Sequence, residues 1–511
     1  MAKEKAIAEF GDFQTPPVLA KKICGLLAKL GVCPASLLEP TCGLGSLLFA
    51  AVDQFTVQTA VGVDINPTHV KWAKIDAARR GDSAKVAVNE GDFFATDWQA
   101  VLQSLPEPVL VVGNPPWVTN SHLASLGSGN LPAKSNFQKH NGIDAITGKA
   151  NFDISEWMLI HLLEAMNGRR GSLAMLCKST VARKVLLHGW KHGMSLGSAS
   201  IYAIDASLHF GASVDASLLV IDFQPAAFSS TANVFGSLNA GATFTTIGYE
   251  DGNLVADVEK YRQGKHLCGA GVIQWRSGVK HDCSKVMELR REGKKYRNGL
   301  GELVDLEDTY VYPMLKSSDV ANGARSDAAR RMIVTQQHVG EDTRGIARRA
   351  PKTWAYLESH AELLSRRASS IYRDRPPFSV FGVGDYSFAP WKVAISGFYK
   401  RLTFVTVGNA DDKPTMLDDT SYFIPCKTSE QADYLASLLN SPPAQSLLNA
   451  FIFWDAKRPI TVDLLRRLDL RAVARELKSE DTFRSYFGVA AKLKKGNKTR
   501  TSDATLALWP E

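Results

Sequence analysis

Short apolar runs alternate with amphipathic stretches through the first half of the chain. Leu37-Leu38 and the segments 61–64, 86–88 and 109–112 are rich in β-branched or large aliphatic residues, and each stops at a polar residue or glycine, which predicts buried strands. Helical spacing fills the gaps. Val18, Leu19, Ile23, Leu26, Leu27 and Leu30 follow the start signal Thr15-Pro16-Pro17, with Thr15 as hydroxyl cap; Leu47, Leu48 and Ala51 form a second face, and Asn66-Pro67 opens a third helix. The alternation continues with a helix over 154–166 behind the capping-box pattern Asp153-x-x-Glu156, and strands over 172–177, 199–204 and 214–223. Seven strands interleaved with helices predict an α/β, Rossmann-like, mostly parallel sheet.

Past Pro225 the pattern changes. Residues 229–252 are rich in Ser, Thr, Gly and Asn and read as a linker or a set of short strands. Helical periodicity returns over 428–475, in Tyr434, Leu435, Leu438 and Leu439, then Leu447, Leu448 and Phe451, then Leu464, Leu465 and Leu468. A chain of 511 residues is too long for one ordinary core. The expected organisation is an α/β domain over 1–228, a linker or short strands over 229–270, a mixed α+β domain over 271–490 and a basic tail over 491–511.

The polar residues that end the strands carry the chemistry. The 109–112 strand breaks into Gly113-Asn114-Pro115-Pro116-Trp117. Asn114 offers a side-chain carbonyl, Pro115 a backbone carbonyl without a competing N–H, Pro116 a fixed backbone, and Trp117 a broad ring face. Two converging acceptors beside an aromatic face suit an exocyclic amine on a nucleobase. Upstream, Glu39-Pro40-Thr41-Cys42-Gly43-Leu44-Gly45 reads as a strand, glycine turn and helix start, and the second strand ends at Asp64, placed to grip a ribose. Asp92-Phe93 follows the third strand, an acceptor for an adenine amine with an aromatic cover. Glu39, Asp64, Asp92 and Asn114 therefore share the carboxyl edge of the sheet, where open α/β folds bind ligands. The third glycine of a dinucleotide fingerprint is missing, and Glu39 would repel a pyrophosphate but welcome a cation, which favours a sulfonium cofactor.

This ensemble resembles the S-adenosylmethionine-dependent DNA amino-methyltransferases. The order of its parts, with the 13–17 segment upstream, the cofactor motif next, then Asn-Pro-Pro-Trp and a large region behind, resembles the gamma class, the TaqI-type adenine-N6 methyltransferases of restriction–modification systems. The resemblance implies a class I methyltransferase domain followed by a target-recognition domain. It places Thr15 and Glu39 near the methionine moiety and adds Thr41, Gly43, Gly45 and Ile65 to the cofactor residues Asp64, Asp92, Phe93 and Asn114. It also assigns Phe210 to the face of a flipped base opposite Trp117, whereas the residue pattern alone would place Phe210 in the core. Double-stranded DNA is the implied partner, with N4-cytosine methylation, an RNA or protein-glutamine methyltransferase and a non-catalytic specificity subunit as the alternatives.

Charge agrees with this and narrows the rest. The net charge is +8, and basic residues gather in the second half with tyrosine and tryptophan among them. Lys280, Lys316, Arg330, Arg331, Arg348 and Arg349, together with Lys134 and Lys139 of the 118–150 loop, are the expected DNA contacts. Seven cysteines without a Cys-x-x-Cys pair suggest neither a disulfide framework nor zinc, and His281-Asp282-Cys283 does not converge as a metal site. Pro425-Cys426 lies too far from the cofactor motifs to supply a nucleophile. Asp418 and Asp419 before Lys427 lack the spacing of a nuclease, so cleavage is expected of a separate restriction endonuclease. No run of about 18 apolar residues and no signal-like segment is present, which predicts a cytoplasmic protein with no membrane contact.

Overall fold

The computed structural model describes residues 14–118, 153–239, 241, 244–269, 273–324 and 329–488. The chain divides after Val258 into two compact units.

In the first unit, β1 (Ser36–Glu39), β2 (Thr59–Asp64), β3 (Val86–Glu90), β4 (Val109–Gly113) and β5 (Gly171–Lys178) pair in parallel. β6 (Leu196–Ile204) and β7 (Ala216–Phe223) complete the seven expected strands, with β7 antiparallel to both β5 and β6. β1 and β4 are buried along their whole length because each has a strand on either side and helices on both faces, which explains their unbroken apolar character. The segment read as a linker or short strands is sheet. β8 (Thr231–Phe235) pairs with β6, and β9 (Phe244–Glu250) and β10 (Asn253–Val255) follow it, giving ten strands in the order 10-9-8-6-7-5-4-1-2-3. These pairings carry the first unit to Val258, beyond the boundary expected at residue 228.

Among the described residues of this unit the helices are α1 (Pro17–Lys29), α2 (Ser46–Gln54), α3 (Pro67–Arg79), α4 (Trp98–Gln103), α5 (Ile154–Met166), α6 (Ser179–Lys191) and α7 (Ala206–Phe210). α1 begins with proline at its first position, but its cap is Pro16 and carries no side-chain hydrogen bond, so Thr15 does not cap it. Val18 and Leu30 are exposed, because they stand at the two ends of the helix, past the buried face of Leu19, Ile23, Leu26 and Leu27. Asn66 caps α3 as expected, accepting from Thr68 N at 3.0 Å. Asp153 caps α5 through Ser155 N at 3.1 Å. Glu156 does not close a capping box; it is buried and pairs with Lys184 at 2.6 Å.

Among its described residues the second unit holds two sheets. One runs in the order 14-13-12-16-15-19, through β12 (Glu288–Glu292), β13 (Lys295–Asn298), β14 (Leu303–Val304), β15 (Val311–Leu315), β16 (Arg330–Ile333) and β19 (Met416–Leu417). The other runs 11-20-17-18, through β11 (Arg276–Ser277), β17 (Trp391–Ser396), β18 (Val405–Val407) and β20 (Ser421–Cys426). The helical periodicity of the C-terminal region is realised in Ser429–Leu439, Pro442–Phe451, Val462–Leu465 and Leu470–Glu476, the first capped by Thr428.

Candidate functional site

The carboxyl ends of β1, β2 and β4 and the turn after β3 assemble the predicted polar residues on one edge. After β1 the chain turns through Gly43 at φ +52° and Gly45 at φ +84°, left-handed conformations that favour glycine. Gly45 caps α2 and directs its first turn back at the strand end. Glu39 is buried there, and its Oε2 accepts from Leu48 N at 2.8 Å. Burial, with Asp64 nearby, holds the Glu39 carboxyl well above its ordinary range, against the opposing pull of that amide. Asp64 Oδ2 accepts from Gly43 N at 2.7 Å and Oδ1 from Asn66 N at 2.9 Å. The carboxylate expected to hold ribose thus also locks the glycine turn, with lone pairs still available on each oxygen. Ile65 and Leu44 remain exposed beside it and give the turn an apolar rim.

Gln14, in the 13–17 segment ahead of the first helix, also reaches this turn. Its Oε1 accepts from Leu44 N at 3.1 Å, and a methyl group added at Gly43 would come within 2.5 Å of its amide. The only sequence signal was its position just before the first helix. Thr15 is buried next to it. Thr41 Oγ1 is buried and has no hydrogen-bond partner among the described residues. A close-approach glycine turn, an unsatisfied hydroxyl and a buried carboxyl fit a cofactor that is polar, partly apolar and cationic.

In the turn after β3, Asp92 accepts from Phe94 N at 2.9 Å. Phe93, expected to cover an adenine ring, is tucked against Trp98 with centroids 4.8 Å apart, and the Trp98 indole donates to its carbonyl at 3.0 Å. Phe94 is the more open ring of the pair and lies 5.1 Å from Trp157. The short spacing to Trp98 drew Phe93 inward.

Asn114 follows β4 directly and is half-buried, with its Oδ1 shielded from solvent. Trp117 is buried, donates to Leu176 O at 3.4 Å and meets Phe210 edge to face with centroids 5.0 Å apart. The two aromatics do come together, from residues far apart in sequence. They touch each other instead of flanking a gap, because Trp117 is drawn into the core beneath β5 and Phe210 packs on it from the end of α7.

The basic candidates separate into distinct groups. Arg331 is 3% exposed and pairs with the half-exposed Asp411, unlike the exposed candidates of this set. Lys280 is bound by Asp282 at 2.7 Å and Asp419 at 3.4 Å. Lys316 pairs with Glu288 at 2.6 Å and Arg330 with Asp319 at 3.5 Å. Arg348 and Arg349 are exposed at the end of a short helix. Lys134 and Lys139 lie outside the described residues. Cys426 is buried in β20, and burial pushes its thiol up to about 12, unsuited to nucleophilic attack at neutral pH.

A seven-stranded core in the order 6-7-5-4-1-2-3 with one antiparallel strand, bearing a glycine turn and strand-end carboxylates, defines a class I S-adenosylmethionine-dependent methyltransferase. Residues 1–183 match the N-6 DNA Methylase family. The chain is 43% identical over 474 residues to the Type II methyltransferase M.NspV of Nostoc sp. (strain ATCC 29411 / PCC 7524), covering 92% of this chain and 98% of that protein, and it belongs to that methyltransferase family. Among solved structures, the Type IIL restriction-modification enzyme MmeI in complex with DNA shares the fold at a TM-score of 0.54 and 13% identity, over 93% of this chain and 68% of that one. The cofactor is S-adenosylmethionine.

Proposed function

We propose that this chain is the modification enzyme of a restriction–modification system, of the gamma class, and methylates the N6 amine of an adenine turned out of duplex DNA in one short sequence context. The observation that carries the reading is the placement of Asn114 on the carboxyl edge next to the glycine turn of Gly43 and Gly45, with Trp117 and Phe210 alongside. S-adenosylmethionine supplies an electrophilic methyl group on a sulfonium. Thr41, Asp64, Ile65 and Asp92 would bind its adenosine part, with Phe94 taking the ring-covering position expected of Phe93, and Glu39 and Thr15 would lie towards its cationic end.

The base must leave the stack at a cost of a few kcal/mol, since its amine is paired and its nitrogen lone pair is delocalised into the ring. The Asn114 carboxamide oxygen and the Pro115 carbonyl then accept the two amine hydrogens and concentrate the lone pair on nitrogen. Pro116 fixes the direction of those acceptors, and Trp117 and Phe210 hold the ring once they have parted. Positioning and preorganised acceptors account for the catalysis, without a covalent enzyme intermediate.

The second unit reads the target sequence, and a separately encoded endonuclease cleaves the unmodified site. No helix of the described residues is long and apolar enough to cross a membrane, and the proposed setting is the cytoplasm of a prokaryotic cell. The test is transfer of labelled methyl groups to genomic DNA, followed by nucleoside analysis and mapping. N6-methyladenine in one context is the expected product; N4-methylcytosine would move the reading to the other amine, and label confined to RNA or protein would overturn it.

A further inference from the structure

In the larger sheet of the second unit, β13, β12 and β16 lie side by side and antiparallel. Their register sets Arg297 opposite Arg290, and Arg290 opposite Arg330. Directly opposed residues share a sheet face, so three guanidiniums stand in one row across three strands. Lys285 and Lys316 flank the row, and the five cations line a single cleft of about 320 Å³ with Glu288 among them. Like charges directly opposite one another destabilise a sheet, so folding alone disfavours this row.

The outer members are tied down. Arg297 donates to both oxygens of Glu292 at 2.7 and 2.8 Å and to Gly301 O at 2.7 Å. Arg330 lies against Asp319 and Lys316 against Glu288, at 3.5 and 2.6 Å. Arg290, at the centre of the row, and Lys285, beside it, are exposed, and neither forms an ion pair among the described residues. The cleft therefore presents two exposed cations that no carboxylate among the described residues engages in a close ion pair, beside guanidiniums that are already anchored.

We infer that this cleft takes phosphate groups of the duplex DNA substrate, with Arg290 and Lys285 making the contacts; this rests on the DNA reading above. Phosphate is favoured over a base edge by the gathering of side chains. Five cations gathered in one cleft suit the repeating charge of a polyanion, and roughly half to two-thirds of protein–DNA hydrogen bonds go to phosphate and sugar, with lysine and arginine among the donors.

The test is binding of the full chain to the methylated-context duplex by fluorescence anisotropy from 50 to 200 mM salt. Each phosphate contact contributes about 0.9 to the slope of log K against log salt, so the Lys285→Gln/Arg290→Gln variant should flatten that slope by about 2. Its unfolding midpoint and its discrimination against a duplex with one altered base pair should match the parent. Arg290→Lys should retain the parent slope. An unchanged slope in the double variant overturns the assignment, as does lost discrimination at unchanged slope, which would make these residues base readers. If the parent itself binds duplex DNA without salt dependence, the DNA reading fails; if the parent's slope is steep and the variant's equals it, the failure is confined to this cleft.

Discussion

The Trp117 indole and the Phe210 ring meet edge to face, with centroids 5.0 Å apart, at the mouth of the proposed base pocket. A base stacked between two aromatic faces needs a gap of roughly 7 Å, twice the van der Waals spacing of about 3.5 Å. The pair must therefore open on substrate entry. Parting it costs about 0.5–1.5 kcal/mol, and stacking on a base returns about 1–3 kcal/mol per contact. Phe210→Ala should lower kcat/KM on a fully paired site by about 10-fold to 100-fold. The loss should be smaller when the target adenine is mismatched, because such a base leaves the helix more readily. Equal losses on paired and mismatched duplexes would show that Phe210 serves the fold and not the base.

Asn114 directly follows a strand that is buried along its whole length and paired with β1 on one side and β5 on the other, so the backbone leading into it is held by the sheet. Asn114→Ala should leave folding and DNA retention intact and reduce methyl transfer by about 10²–10³-fold, the usual loss when one preorganised polar group aimed at the reacting centre is removed. Single-turnover transfer, measured beside a filter-binding assay on the same duplex, checks this. Parallel loss of retention and unfolding midpoint would make the residue structural.

These contacts show which features a sequence discloses. Glu39, Gly43, Gly45, Asp64 and Asn114 were legible because each sits where an apolar strand stops, and strand ends in a parallel sheet share an edge. The bonds that finish the site were not, since they join distant segments: Gly43 N to Asp64 spans 21 residues, and Leu44 N to Gln14 spans 30. Phe93 and Phe94 are adjacent letters, and which of them turns inward was decided by Trp98. The Ser-, Thr- and Gly-rich composition of β8 to β10 left a linker and short strands equally open, because the stability of these strands comes from pairing, β8 onto β6 and β9 onto β8, and not from apolar content. Charge is equally silent about its counter-charge. Nothing near Arg331 in sequence announces an aspartate 80 residues away.

Glu39 gives a prediction with a defined sign. Its carboxyl in the folded chain titrates well above the ordinary value of 4.5, chiefly because it is buried. A raised folded value means that its contribution to stability is fully present below the unfolded value and is lost as pH rises through the folded one. Glu39→Gln is neutral throughout and keeps an acceptor for Leu48 N. Without cofactor, the variant should gain stability over the parent progressively as pH is raised above 4.5, and thermal unfolding from pH 4 to 9 would show it. The same variant should bind S-adenosylmethionine about 10-fold to 100-fold more weakly, as expected when a charged partner worth about 1.5–3 kcal/mol is removed. A pH-independent stability difference would mean that Glu39 ionises freely in the folded chain.

Arg331 and Arg290 belong to neighbouring strands, yet their substitutions should separate stability from binding. Arg331 is 3% exposed and pairs with Asp411, which also receives Arg291 at 2.9 Å. Because Asp411 is half exposed and keeps a second partner, losing the arginine does not strand a buried charge. The cost comes from an unfilled, partly polar space, about 1–3 kcal/mol. Arg331→Gln should therefore lower the urea midpoint while leaving DNA affinity and its salt slope unchanged at temperatures well below unfolding. A salt slope that falls in this variant without a change in the urea midpoint would place Arg331 on the DNA and contradict its burial.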